Sequence, residues 1–328
     1  MMRLLKTLLK VIISLGLFSY LVWISDPRQI LDILGNVYHQ DRVWWVVHAL
    51  LLGLASVWFL AWRWQIILNA FGYAYGRATL YGIYLIGMFF NNFLPTSIGG
   101  DIVRIYRVAD DTDERTLAFS SVIIERLLGI ASTLLLAILA LLYVSRFYKD
   151  NRLMIMAVIL FLGILVFFGL MFRERPVAFM LRLFDKLTLL RIGEKMNKMI
   201  TSIHLLKDNR GVLFSVFVLS ALSQAMIVLM NYALVKAFNM QVGLVYLFLV
   251  VPVTFLLTML PSINGVGFRD GGYIFFLGKV GVANAAAISL SFMNVIIPMV
   301  ISIIGGILFM VQRKKSKLKE ITAIEESL

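Results

Sequence analysis

Six stretches of this 328-residue chain, at about 8–24, 43–62, 117–143, 153–172, 211–235 and 281–310, are apolar almost without interruption. Each is close to the ~20 residues that a helix needs to cross a hydrocarbon core. Nothing else in the sequence narrows the fold so far. Inside a bilayer every backbone N–H and C=O must find its partner within the chain, and a helix meets that demand segment by segment. A hydrophobic share of 61% and a mean hydropathy of +0.90 agree, since soluble domains stay near ~45–50%. The expectation is an all-α integral membrane protein.

Two shorter apolar runs, 78–93 and 244–260, lead into related segments: LPTSIGGDIVR at 94–104 and LPSINGVGFR at 260–269. With Thr96 skipped, both read L-P-S-I-x-G-x-x-x-R, and the arginines, Arg104 and Arg269, stand 165 positions apart, half the chain. Pro95 and Pro261 end the incoming helices, and the glycines permit the chain to reverse.

Charge placement asks for the same reversal. Segment 173–210 carries nine Lys/Arg against four acids, and basic residues also mark the N-terminus (Arg3, Lys6, Lys10) and the tail (Arg313, Lys314, Lys315, Lys317, Lys319). Such loops stay on the cytoplasmic side. Eight complete crossings would put 173–210 outside. The conflict disappears if 78–110 enters from the cytoplasm and returns, and 244–279 does so from the other face. The predicted fold is therefore about six full transmembrane helices plus two re-entrant helical hairpins, in an inverted-topology repeat around a midplane cavity. It forms a single membrane domain, 1–328, with half-repeats at about 1–172 and 211–312. A cytoplasmic amphipathic segment, 173–210, joins them, and 313–328 is a basic tail. The first run reads as a retained span, since no small-residue cleavage site follows it. The expected location is a bacterial inner (cytoplasmic) membrane, multi-pass, with both termini cytoplasmic. Trp44, Trp45, Trp58, Trp62 and Trp64 read as an interfacial belt.

Charge recurs where it is expensive: Asp101/Arg104, Glu125/Arg126 and Arg269/Asp270. A charged residue at the centre of a span costs roughly +2.5 to +3.5 kcal/mol, so such groups pair with one another or line a wet cavity. Arginine is suited to a bidentate grip on phosphate, and outgoing half-helices starting near Ser97 and Ser262 aim positive dipole ends at the midplane. Asn92, Ser97, Gly100, Ser262, Asn264 and Gly265 complete the candidate substrate-binding set, supplying polar groups and backbone freedom at the turns. The acid–arginine pairs read equally as internal salt bridges, and Glu125 also as a proton carrier, because burial raises a carboxyl pKa.

The segments LPTSIGGDIVR (94–104), ERLLG (125–129) and LPSINGVGFRD (260–270) resemble the flippase-like membrane domain of the lysylphosphatidylglycerol synthase transmembrane family, whose best-known member is the multiple peptide resistance factor. The resemblance implies a domain that moves a phospholipid between leaflets. In the family a soluble domain attaches lysine from lysyl-tRNA; with the chain ending at Leu328, synthase activity is not expected. The implied partners are lipids with an anionic headgroup, of the phosphatidylglycerol or polyprenyl-phosphate type, and a separate lipid-modifying enzyme.

Enzyme signatures are not found. GYIFFLGKV at 272–280 has five residues between its glycines and Val280 in place of the hydroxyl that a phosphate-cradling loop requires, and GVGFRDGG at 265–272 lacks the dinucleotide spacing. DDTDE at 110–114 reads as a solvated loop, and His39, His48 and His204 form no constellation. Zero cysteines exclude thiol chemistry. No cofactor, no metal and no nucleic acid is expected, and the net charge of +13 is assigned to loops facing anionic headgroups. Two alternatives to lipid transport remain: a membrane-embedded transferase with Glu125 or Asp270 as base, and a non-transporting partner of a separate enzyme.

Overall fold

The computed structural model describes residues 16, 19–93, 99–112, 114–148, 209–258 and 265–326. Among them the chain is helical throughout, with no strand. In order come α1 (Pro27–His39), α2 (Val43–Ala70), α3 (Arg77–Phe93), α4 (Gly99–Thr112), α5 (Arg115–Tyr148), α6 (Arg210–Ala237), α7 (Leu244–Leu257), α8 (Phe268–Gly278) and α9 (Asn284–Glu326). Four of them, α2, α5, α6 and α9, are long and apolar enough to cross a membrane. Their outward faces carry Leu51, Leu139, Phe214, Leu222, Val300, Ile304 and Ile307, the reverse of the polar exterior of a soluble helix.

The remaining expected segments fall differently. The span at 153–172, the amphipathic segment up to residue 208 and the hairpin tips at 94–98 and 259–264 lie outside the described residues, so Ser97, Ser262 and Asn264 do too. Of the first run, residues 16 and 19–24 are described and helical. Helix α1 was not anticipated. Asp26 accepts from the Arg28 amide at 3.1 Å and Pro27 occupies the first turn, a favourable start because that N–H would have no helical partner. Its buried face sets Ile30 against Ala285 and Ile288 of α9, while Leu31 and Tyr38 remain exposed.

A long helix, a broken helix pair and a long helix occur twice, as α2–α5 and α6–α9. The packing repeats with the order. Helix α2 contacts α3 as α6 contacts α7; α4 contacts α5 as α8 contacts α9; α3 contacts α9 as α7 contacts α5. Helices α2 and α6 pair with each other, and their register runs in opposite directions: Ser223 Oγ donates to the Ser56 carbonyl at 3.1 Å, and Arg63 Nη1 to Ser220 Oγ at 2.8 Å. The two central helices are thus antiparallel, the relation that an inverted repeat requires.

Small residues bring the helices close, as is usual where lipid supplies no hydrophobic drive between them. A Cβ on Gly100 would lie 2.2 Å from the Gly87 carbonyl oxygen, so α3 and α4 touch through their backbones. A Cβ on Gly305 would lie 2.0 Å from the Leu85 oxygen, which seats α9 on α3. In the second pair Gly265, at φ 76°, turns the chain back under Thr258, and Gly272 faces Thr254 and Leu257.

Candidate functional site

Four helices of the first half aim polar side chains at one point, three of them charged. Glu125 stands ten residues after the start of α5, about 15 Å along the helix, and is fully buried. Its Oε1 accepts from Arg63 Nε and Nη2 of α2, each at 2.9 Å, and from the Tyr84 hydroxyl of α3. Its Oε2 accepts from Arg104 Nη2 of α4. The Arg104 guanidinium carbon lies 3.7 Å from the Tyr84 ring centroid and 4.2 Å from that of Trp64. Its Nη1 reaches Asp101 at 3.4 Å, and the other Asp101 oxygen holds Arg126.

Buried charges are tolerated when paired and hydrogen-bonded, and here the pairing is uneven. Among the described residues, three guanidiniums, Arg63, Arg104 and Arg126, face two carboxylates, Glu125 and Asp101. Arg104 Nε, on a side chain 5% exposed, has no acceptor among the described residues. Arg126 is the one member with a largely open side chain, 48% exposed. The cluster therefore carries one positive charge in excess, one orphan donor and one accessible guanidinium.

Of the expected site residues, Asp101, Arg104, Glu125 and Arg126 come together. Asp101 and Arg104 pair within α4 as expected, but Glu125 and Arg126 do not bridge each other: Glu125 turns inward to Arg104 and Arg126 outward to Asp101. Consecutive residues on a helix point about 100° apart, so in α5 the two side chains leave on different faces. Trp64 corrects a second expectation. It is fully buried and donates Nε1 to Ser121 Oγ at 3.0 Å, so it belongs to the cluster and not to an interfacial belt. Trp44 and Trp45 are exposed as expected.

Sequence reading missed Arg63 altogether. The apolar run ends at Trp62, which places Arg63 at a boundary, yet α2 continues seven residues past it, to Ala70. The signal was the unmatched charge of Glu125, together with Gly129 of the ERLLG segment: a Cβ there would lie 2.7 Å from Arg63 Nη1. The glycine makes room for the arginine.

The second half holds its own polar cluster, electrically closed. Arg269 Nη2 donates to Asp270 Oδ1 at 2.7 Å and its Nε to Ser291 Oγ at 2.9 Å, while Asp270 Oδ2 accepts from the Gly267 amide at 2.8 Å. Beside them Tyr273 donates to Asn231 at 3.1 Å, and Asn231 and Asn294 exchange amide hydrogen bonds at 3.1 and 2.7 Å. Asn294 stands ten residues into α9, as Glu125 stands ten into α5, and Asn231 lies one position further into α6 than Arg63 into α2. An amide pair thus occupies the place of the ion pair. Asn92 joins neither cluster; its Nδ2 donates to Ser302 Oγ at 3.0 Å and to the Pro298 carbonyl at 3.3 Å of α9. Gly100 and Gly265 act through backbone approach and turn geometry. A cleft of about 340 Å³ opens where the α7–α8 pair begins and ends, lined by Tyr143, Gln241, Gly243, Tyr246 and Val280.

At the open end of the first pair, the Tyr75 hydroxyl lies 3.4 Å from Asp111 Oδ2. Partial burial, reinforced by that carboxylate, pushes the phenol up to about 12.

Residues 7–306 match the family model described as the lysylphosphatidylglycerol synthase TM region. Over 128 residues the chain is 28% identical to the UPF0104 membrane protein MJ1595 of Methanocaldococcus jannaschii, a match that covers 38% of this chain and 37% of that protein. The chain thus aligns with little more than a third of that relative's length.

Proposed function

The chain belongs to the lysylphosphatidylglycerol synthase TM region family, and on that footing we propose that it carries an anionic, phosphate-bearing lipid between the leaflets of a membrane. One observation supports this above the rest. The cluster on α2–α5 sets three guanidiniums against two carboxylates and keeps an unmatched Arg104 donor, at a depth where an uncompensated charge is expensive. A lipid phosphate supplies the missing negative charge and an acceptor for that donor. In this reading α3–α4 and α7–α8 are re-entrant hairpins entering from opposite faces. Arg126 meets the headgroup first, Arg104 grips it, and Glu125 is the fixed counter-anion that holds Arg63 and Arg104 in place. The Arg269–Asp270–Ser291 group, already satisfied internally, serves as a seat only after those bonds exchange.

Transport is preferred over transfer chemistry because the Glu125 carboxylate is held by two guanidiniums and a phenol, the setting of a fixed counter-anion more than of a general base. The test is leaflet exchange in proteoliposomes, with fluorescent phosphatidylglycerol, a neutral-headgroup control and a membrane-impermeant quencher. Exchange is expected to be faster for the anionic lipid and to fall at least about tenfold in Arg104→Gln, the equivalent of ~1.4 kcal/mol. Equal, slow exchange of both lipids by wild type and variant would sink the proposal. Mass spectrometry of the lipid before and after separates movement from chemical conversion.

A further inference from the structure

We propose that Arg77, laid against Trp62 at the open end of the α3–α4 pair, is a separate capture site for the phosphate of a membrane lipid. The site is built from residues outside the buried cluster. The Arg77 guanidinium carbon lies 4.1 Å from the Trp62 ring centroid and 5.8 Å from that of Trp58. Its Nε donates to Gln65 Oε1 at 3.1 Å, and Gln65 Nε2 donates in turn to the Tyr75 carbonyl at 2.7 Å. One face of the guanidinium is covered by indole and its stem edge is tied down. The terminal N–H groups remain.

Those groups have no carboxylate. Arg63, Arg104, Arg126 and Arg269 each make an ion pair, whereas none is formed by Arg77 among the described residues. A stacked, oriented and unpaired guanidinium is the side-chain arrangement that binds phosphate through two parallel N–H donors. The tether between Tyr75 and Asp111 fixes this end of the pair where α3 begins and α4 ends. Arg77 opens α3 beside the 71–76 connection, at the end of the apolar helix α2, and the ends of such helices lie at the headgroup level of a bilayer. The phosphate at that level belongs to a lipid.

The position also leads somewhere. Arg77, Tyr81 and Tyr84 follow one another at spacings of four and three, hence along one face of α3. The Tyr81 ring meets Trp58 at 5.4 Å, and the Tyr84 ring meets Arg104 at 3.7 Å. Seven residues of α3, about 10 Å, separate Arg77 from Tyr84 at the buried cluster. Delivery of the headgroup along that face rests on the carrier reading given above; capture does not.

The experiment measures lipid retained by the purified full-length chain in native mass spectrometry. The probes are phosphatidylglycerol, diacylglycerol of the same acyl composition, and glycerol 3-phosphate as soluble competitor. Wild type, Arg77→Ala and Arg77→Lys are compared, each also in an Arg104→Gln background, with thermal unfolding as the check on folding. Wild type is expected to retain phosphatidylglycerol over diacylglycerol. Arg77→Ala should lower that preference at least fivefold in both backgrounds, and Arg77→Lys should not restore it, because an ammonium lacks the planar fork. Unchanged retention in both Arg77 variants overturns the site. Full rescue by lysine overturns the stacked-guanidinium basis, and equally strong displacement by glycerol 3-phosphate overturns the lipid as its source. If Arg77→Ala loses retention while wild type shows no leaflet exchange, capture stands and the carrier reading falls. If retention persists in the variant and exchange is intact, the reverse holds.

Discussion

Arg63 and Glu125, 62 residues apart in the chain, meet at 2.9 Å through two guanidinium nitrogens on one carboxylate oxygen, with both side chains withdrawn from the surface. The second Glu125 oxygen belongs to Arg104, so this carboxylate neutralises two arginines at once. Removing one partner of a buried pair costs about 3–5 kcal/mol, because the other charge is left uncompensated. Glu125→Gln is therefore expected to destabilise the chain more than Arg63→Met, since the methionine variant still leaves Glu125 paired with Arg104. Denaturation of the two variants in detergent compares them directly; the opposite order would mean that Arg104, not Glu125, anchors the group.

Three glycines give a graded test of the packing. Alanine at Gly100 would place its Cβ 2.2 Å from the Gly87 carbonyl oxygen, and at Gly129 2.7 Å from Arg63 Nη1, whereas at Gly278 nothing lies within 4 Å. Overpacking costs roughly 1–3 kcal/mol. Gly100→Ala is expected to be the most damaging, because backbone cannot swing aside. Gly129→Ala should be intermediate and act by displacing Arg63. Gly278→Ala should be silent. Thermal unfolding midpoints supply the ranking.

The proposed entry of the two hairpins from opposite faces predicts sidedness. Ala74 precedes α3 and Ala283 follows α8, both exposed, and the chain has no cysteine of its own. In intact cells or sealed vesicles, Ala74→Cys and Ala283→Cys should react with a membrane-impermeant maleimide from opposite sides. Labelling of both from one side would rule out entry from opposite faces.

Alkaline pH should act on the tether at the open end of α3–α4. A tyrosine ionises near 10 when unfolded, whereas Tyr75 is pushed up to about 12 in the folded chain. The native state then holds its proton after the unfolded state has released it. Its contribution to stability is complete below about pH 10 and is lost as pH rises from 10 towards 12. Tyr75→Phe should flatten the stability profile in that window. Asp111→Asn should lower the Tyr75 pKa only partway, because burial is the larger cause. Differential phenolate absorbance reads both effects.

Much of this architecture was legible because membranes impose simple arithmetic. Runs of apolar residues mark α2, α5, α6 and α9, and the spaced LP-Gly-Arg segments mark the two broken pairs. The buried cluster was legible only in part. Asp101, Arg104, Glu125 and Arg126 announce themselves as charges in apolar surroundings, but their partners follow from helix crossings that no local pattern encodes. Arg63 escaped notice because it follows the end of an apolar run, and Trp64 read as a headgroup anchor because it closes a series of tryptophans. The Asn231–Asn294 pair was invisible for a different reason. Uncharged amides raise no alarm in a hydropathy profile, and only their matching positions in α6 and α9 reveal what they replace.

The backbone contact between Gly87 and Gly100 has a mechanical side. Arms separated by interlocking side chains can shear by exchanging rotamers, but arms that meet atom to atom along their main chains have no such play. The α3–α4 pair is consequently a single stiff lever. Any displacement of Arg104 carries Tyr84 and Arg77 with it, and the 71–76 connection has to absorb bending at the start of the pair.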